Sequence, residues 1–225
     1  MSARRALRAG GLWFDGKSSR VVVPVSSSLS NFTEKSVAFW VRPSAYPSAW
    51  EPYDHGYWAS PFGDLFQNIY STLMYYLKNT GGTVVRLRYD LPVELQYKWI
   101  HVATSWDGST ARLYVNAVKR AEAAFSGVLA CSAYNLTLGS RYNRANPFAG
   151  IIDDVRIYNR ALTEDEIKAI YERGALIRDG LVLHLDFTEY KGSIAYDKSG
   201  CGNHATIYGA RWVIKKQLRT LPETG

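Results

Sequence analysis

Short stretches of alternating apolar and polar residues recur along the chain, separated by clusters of Gly, Pro, Asn, Asp and Ser. Alternation at period two is the pattern of a strand with one buried face. It is clean over residues 36–42, where Val37, Phe39 and Val41 oppose Ala38 and Trp40. Residues 72–78 and 83–90 predict a hairpin around Asn79-Thr-Gly-Gly82, and 99–106 and 110–118 another, turned by Asp107-Gly108-Ser109. Residues 11–15 and 20–25 predict a third hairpin around Gly16, with further strands near 119–125 and 135–141. Residues 44–70 break the rhythm with Pro47, Pro52 and Pro61 among many aromatics, and read as a long aromatic loop. The stretch 148–174 then joins two periods. Ile151, Asp153, Val155 and Ile157 fall on one face of a strand, with Ile152, Asp154, Arg156 and Tyr158 on the other. Thr163 and Glu166 follow as a capping box, Ile167, Ile170 and Tyr171 form a helical stripe, and Gly174 supplies the stop. The pattern predicts an all-β, antiparallel two-sheet sandwich with one short helix near 164–173.

The same residues carry a resemblance. The Asp153-Asp154 pair, the string Val155-Arg-Ile-Tyr-Asn-Arg-Ala-Leu162 and the acidic helix resemble the closing segment of laminin-G-like, concanavalin A-like jelly rolls. Gly11 to Gly16, Arg20 to Pro24 and Ser36 to Pro43 are similar to that family's early strands, and Lys98 to Gly108 with Ala111 to Asn116 to its central hairpin. In the family, segments such as Gly180 to Phe187, Tyr196 to His204 and Ala205 to Trp212 usually open the domain; here they come last. The resemblance therefore implies one jelly roll over 10–213 in circularly permuted order, 10–176 completed by strands from 180–213, between a basic tail at 1–9 and another at 214–225. Two alternatives stay open: 180–213 could begin a further repeat, or could complete a neighbouring copy.

Length and a 47% hydrophobic content suffice for one large core. The net charge of +7 sits mostly in the tails, which carry +3 and +2 and leave a body of +2. That distribution lacks the stripe that phosphate binding needs and argues against a nucleic-acid partner. No apolar run is long enough to span a bilayer, so membrane insertion is not expected. Cys131 and Cys201 allow one disulfide or two thiols. The end, Leu221-Pro-Glu-Thr-Gly225, resembles the sorting motif cut by sortases and reads best as a ligation tag. An extracellular, cell-surface or virion location is expected.

Sugars present flat apolar faces rimmed by hydroxyls, which proteins meet with aromatic faces and convergent polar groups. Trp50, Tyr53, Asp54, His55, Tyr57 and Trp58 in the aromatic loop supply both, as do Arg141, Tyr142, Asn143, Arg144 and Asn146 in a second loop. Asp153 and Asp154, with Asp197 and Asn203 of the Asp197-Lys-Ser-Gly-Cys-Gly-Asn203 loop, could share a structural calcium ion. Catalytic residues are not expected, because no strand carries the Glu-x-Asp-x-x-Glu pattern of related glucanases. The expected role is a non-catalytic carbohydrate-binding or adhesion module that takes a glycan or cell-surface polysaccharide. The alternatives are an assembly subunit that self-associates through its terminal strands, and behind it a glycan hydrolase or lyase.

Overall fold

The computed structural model describes residues 10–44, 49–56, 63–129 and 134–214. In chain order the strands are β1 (Gly10–Asp15), β2 (Arg20–Val23), β3 (Lys35–Pro43), β4 (Ala49–His55), β5 (Asp64–Ile69), β6 (Thr72–Lys78), β7 (Val84–Asp90) and β8 (Ile100–Trp106). They continue as β9 (Thr110–Val115), β10 (Val118–Ala124), β11 (Leu136–Leu138) and β12 (Ala149–Tyr158); after the helix α1 (Glu164–Arg173) come β13 (Leu181–Leu185), β14 (Ile194–Ala195), β15 (Ala205–Tyr208) and β16 (Arg211–Ile214). One sheet, A, runs β10-β9-β8-β3-β12-β1-β16, with β13 beside the far half of β12. The other, B, runs β14-β15-β2-β11-β4-β5-β6-β7. Two antiparallel sheets and one helix make a jelly-roll sandwich.

The core lies between the sheets, where Val37, Phe39 and Val41 of β3 meet Tyr53, Phe66 and Tyr75 of sheet B. Each such side chain removed from water stabilises the fold by roughly 2 kcal/mol. The helix covers the opposite face of sheet A, packing Ile167 and Ile170 on Ala38, Ala103, Tyr114 and Tyr158. Its capping box is formed: the Glu166 amide donates to Thr163 Oγ1 at 3.2 Å, and the Thr163 amide to Glu166 Oε2 at 2.9 Å. Gly174 ends it in the left-handed region at φ 62°. The terminal segments pair inside the chain, β13 with β12, β15 with β2 and β16 with β1.

Three expectations are corrected. Residues 11–15 and 20–25 are not a hairpin: β1 pairs with β12 and β16 in sheet A, whereas β2 pairs with β11 and β15 in sheet B. The turn between them is a crossing. Asp15 Oδ1 accepts the amides of Lys17, Ser18 and Ser19, and Gly16 takes φ 69° with Ala149 too close for a side chain. Residues 44–70 are not one loop, because 49–55 and 64–69 are paired strands. Their register shifts between Trp50 and Tyr53, which accommodates Pro52, a residue unable to donate to a ladder.

The third correction is the facing of β12. Its pairing with β3 is interrupted between Asp153 and Arg156, and Asp154 takes φ 51°. This bulge resets the alternation, so Ile152, Val155 and Ile157 enter the core while Asp153 leaves the face assigned to it. The bulge sits where the partner of β12 changes from β1 to β13. Among the described residues no helix is long and apolar enough to cross a membrane.

Candidate functional site

The residues expected in a sugar-binding aromatic loop fall in three places. Trp50 and Tyr53 are fully buried: Trp50 lies 5.2 Å from the Phe148 ring, and Tyr53 stacks on Phe39 at 6.4 Å. The strand β4 turns both inward, so they are core and not a ligand surface. His55 is also inward and buried, with Nδ1 3.1 Å from Lys35 Nζ. Burial, and then the charge of Lys35, push its pKa well below 6.5. Tyr57 and Trp58 lie outside the described residues, as does Cys131; Cys201 is exposed.

Asp54 and its neighbour Glu51 instead support the second loop from beneath. Glu51, fully buried, receives Arg141 Nη2 at 2.8 Å, Asn146 Nδ2 at 2.8 Å and Gln67 Nε2 at 2.9 Å. Asp54, also buried, accepts the amide of Tyr142 at 2.8 Å. The guanidinium of Arg141 is half withdrawn from water, which lowers its pKa, but the Glu51 hydrogen bonds and charge outweigh this and raise it overall. Within the loop, the Arg144 amide donates to the Arg141 carbonyl at 2.8 Å and Asn143 Oδ1 accepts the Ala145 amide at 3.1 Å. Arg141 therefore points inward as an anchor, and Tyr142 and Arg144 are carried outward.

They reach a cleft of about 290 Å³ on the outer face of sheet B. Arg20 and Val22 of β2, Thr137 of β11 and Tyr208 of β15 form its floor, and Tyr134, Asn135, Tyr142 and Arg144 its wall. The floor follows from alternation. Val21, Val23, Leu138 and Ile207 face the core, so the residues between them face outward. Pairing of β15 with β2 sets Tyr208 opposite Arg20, whose guanidinium lies 4.3 Å from the ring centroid. Tyr134 and Tyr142 pack ring to ring at 5.3 Å and 55°. Tyr142 and Tyr208 keep 38% and 44% of their surface exposed, so aromatic faces stay available to a ligand. The cleft thus joins exposed rings, amide and hydroxyl groups and two guanidiniums, and no carboxylate is among its described lining residues.

The residues expected to bind calcium are engaged by the protein. Asp197 accepts the amides of His184, Ser199 and Asn203 at 2.9 to 3.0 Å, and the Ser199 hydroxyl at 2.7 Å. Asn203 turns its amide nitrogen to Ser28 Oγ and the Val182 carbonyl. Asp154 pairs with Arg156 at 2.9 Å and with His184 at 2.8 Å. Asp153, moved off the core face by the bulge, is buried at 2% exposure. Among the described residues no group of three or more His, Cys, Asp or Glu side chains is placed to hold a metal ion.

Comparison with known proteins agrees with this architecture. Residues 15–168, well over half of the chain, match the laminin G family model described as concanavalin A-like lectin/glucanases superfamily. The chain belongs to that superfamily. No curated protein matches it in sequence. Among solved structures it is similar to a protein of Bacteroides ovatus provisionally named a carbohydrate binding protein (17% identity, TM-score 0.70, 92% of this chain and 59% of that one). It thus spans less than two thirds of that neighbour. It is also similar to the heptameric SAP-like pentraxin of Limulus polyphemus (12% identity, TM-score 0.56, 73% of this chain and 82% of that one). At these identities the likeness to solved structures is one of fold. As a concanavalin A-like jelly roll the chain has a fold shared by lectins and glycosidases, so its chemistry has to be argued from its own cleft.

Proposed function

We propose that this jelly roll is a non-catalytic carbohydrate-binding module, and that its ligand lies in the cleft on the outer face of sheet B. The observation that carries this reading is the pairing of exposed tyrosine faces with outward arginines, Tyr208 with Arg20 and Tyr142 beside Arg144. Rings of this kind stack on the apolar face of a pyranose, and Asn135 and Thr137 offer hydrogen bonds to its rim. Two guanidiniums without a lining carboxylate favour a sugar bearing carboxylate or sulfate groups, which a guanidinium binds bidentately. Hydrolysis of a glycosidic bond would call for two carboxylates flanking it, and the cleft's described lining offers none. The provisional name of the Bacteroides ovatus neighbour supports the reading. A surface or adhesive role on a cell or virion is the setting that fits such a module. Assembly through terminal strands is less favoured, since β13, β15 and β16 already have partners within the chain.

An array of acidic and neutral glycans tests the proposal. Acidic oligosaccharides are expected to bind, with affinity lowered about tenfold by Arg20→Ala, the equivalent of one lost charge-assisted contact, and with the melting temperature kept. Retention by neither class, or equal binding by wild type and Arg20→Ala, would overturn it.

A further inference from the structure

Between the sheets, remote from water, a lysine of sheet A meets an aspartate of sheet B. Lys35 begins β3 and Asp64 begins β5, and the side chains of both are 0% exposed. Lys35 Nζ lies 2.6 Å from Asp64 Oδ1. His55 Nδ1 is 3.1 Å from the same nitrogen, and the Tyr75 hydroxyl donates to Asp64 Oδ2 at 2.8 Å. Aromatic rings enclose the group, with Phe32 4.5 Å and Tyr53 5.8 Å from the ammonium. An ionic pair is a poor means of joining two sheets here, because desolvation of both charges offsets their attraction and apolar side chains of similar size would hold as well.

We propose that Lys35 and Asp64 condense to an intramolecular isopeptide bond that ties sheet A to sheet B, with His55 as proton carrier and Tyr75 as hydrogen-bond donor to the developing oxyanion. The ammonium first passes a proton to Asp64 Oδ1 along their hydrogen bond, leaving a neutral amine and a protonated carboxyl. The amine lone pair attacks Asp64 Cγ, and the electron pair displaced from the carbonyl gathers on Oδ2, where Tyr75 already donates. The new C–N bond leaves a proton in excess on Nζ, which passes to His55 Nδ1. Buried and beside Lys35, that imidazole is held in its neutral form and is able to accept it. The proton is then delivered to the departing Oδ1 hydroxyl, the C–O bond breaks and one water leaves. Charges and atoms balance: ammonium plus carboxylate become amide plus water, and no oxidant or further reactant is needed. Fixed proximity supplies the reactivity that free lysine and aspartate lack, and escape of water from an apolar pocket opposes the reverse step. A bond closing residues 29 apart would also limit the unfolded chain, as a disulfide does.

Intact mass spectrometry of the folded full chain decides the matter. The measured mass is expected to fall below the sequence mass by one water, and a chymotryptic digest to hold a branched peptide joining the segment of Lys35 to that of Asp64. Asp64→Asn should expel ammonia instead and finish at the same mass as the cross-linked wild type, while Lys35→Met should retain its full sequence mass. A folded wild-type protein at its full sequence mass after prolonged incubation, or a mass deficit without a branched peptide, would overturn the proposal. That readout needs only the wild type, so it stands even where a variant fails to fold.

Discussion

Glu51 has no exposed surface, yet it gathers Arg141, Asn146 and Gln67 around its carboxylate. Removing one partner of such a group leaves the others buried and unsatisfied. Glu51→Ala is therefore expected to destabilise the protein by about 3 kcal/mol, read by denaturant unfolding, and to weaken glycan binding by loosening the loop that carries Tyr142; unchanged stability would show that the anchor is dispensable. His55 makes a different prediction. Burial holds its folded pKa well below 6.5, and the groups facing it are those of Lys35 and, at 3.9 Å, Asp64. The unfolded chain then binds a proton that the folded chain refuses. Stability from this source is complete above 6.5 and declines as the pH falls toward the folded pKa. Unfolding free energy measured from neutral pH down to about pH 5 should show this decline, and His55→Gln should flatten it.

At the scale of elements, the turn 197–203 is closed by a carboxylate that serves as a cap. Four protein donors occupy Asp197. Asp197→Ala is expected to cost about 3 kcal/mol by orphaning buried amides, whereas calcium or a chelator should leave the melting temperature of the wild type unchanged; a clear rise with calcium would restore the ion to this loop. Elements whose periodicity ran undisturbed were legible in the sequence. The alternation of β3, the hairpins β6–β7 and β8–β9 and the capped helix all lie where the pattern puts them. The misread pieces share a cause, that local pattern does not encode partners. Nothing in Gly16-Lys-Ser-Ser19 says that β1 and β2 enter different sheets. Prolines and glycines concealed β4 and β5, and their inward aromatics looked like a loop's surface. One bulge at Asp154 inverted the facing of half of β12.

At the scale of the molecule, sheet A lies beneath the helix, and the cleft lies on the outer face of sheet B. The 141–146 loop was legible because polar and aromatic residues crowd a short stretch. Arg20 and Tyr208 were not, since 188 positions of sequence separate them and only the pairing of β2 with β15 brings them together. The same pairing uses the last strands of the domain to complete the floor of the cleft, which links closure of the sandwich to the proposed ligand. Amide shift mapping of the isotope-labelled protein during titration with an acidic oligosaccharide tests that placement directly. Shifts confined to Arg20, Tyr134, Asn135, Tyr142, Arg144 and Tyr208 are the predicted result, and shifts centred on Trp40 and Tyr171 of the helix-covered face, or none at any concentration, would contradict it.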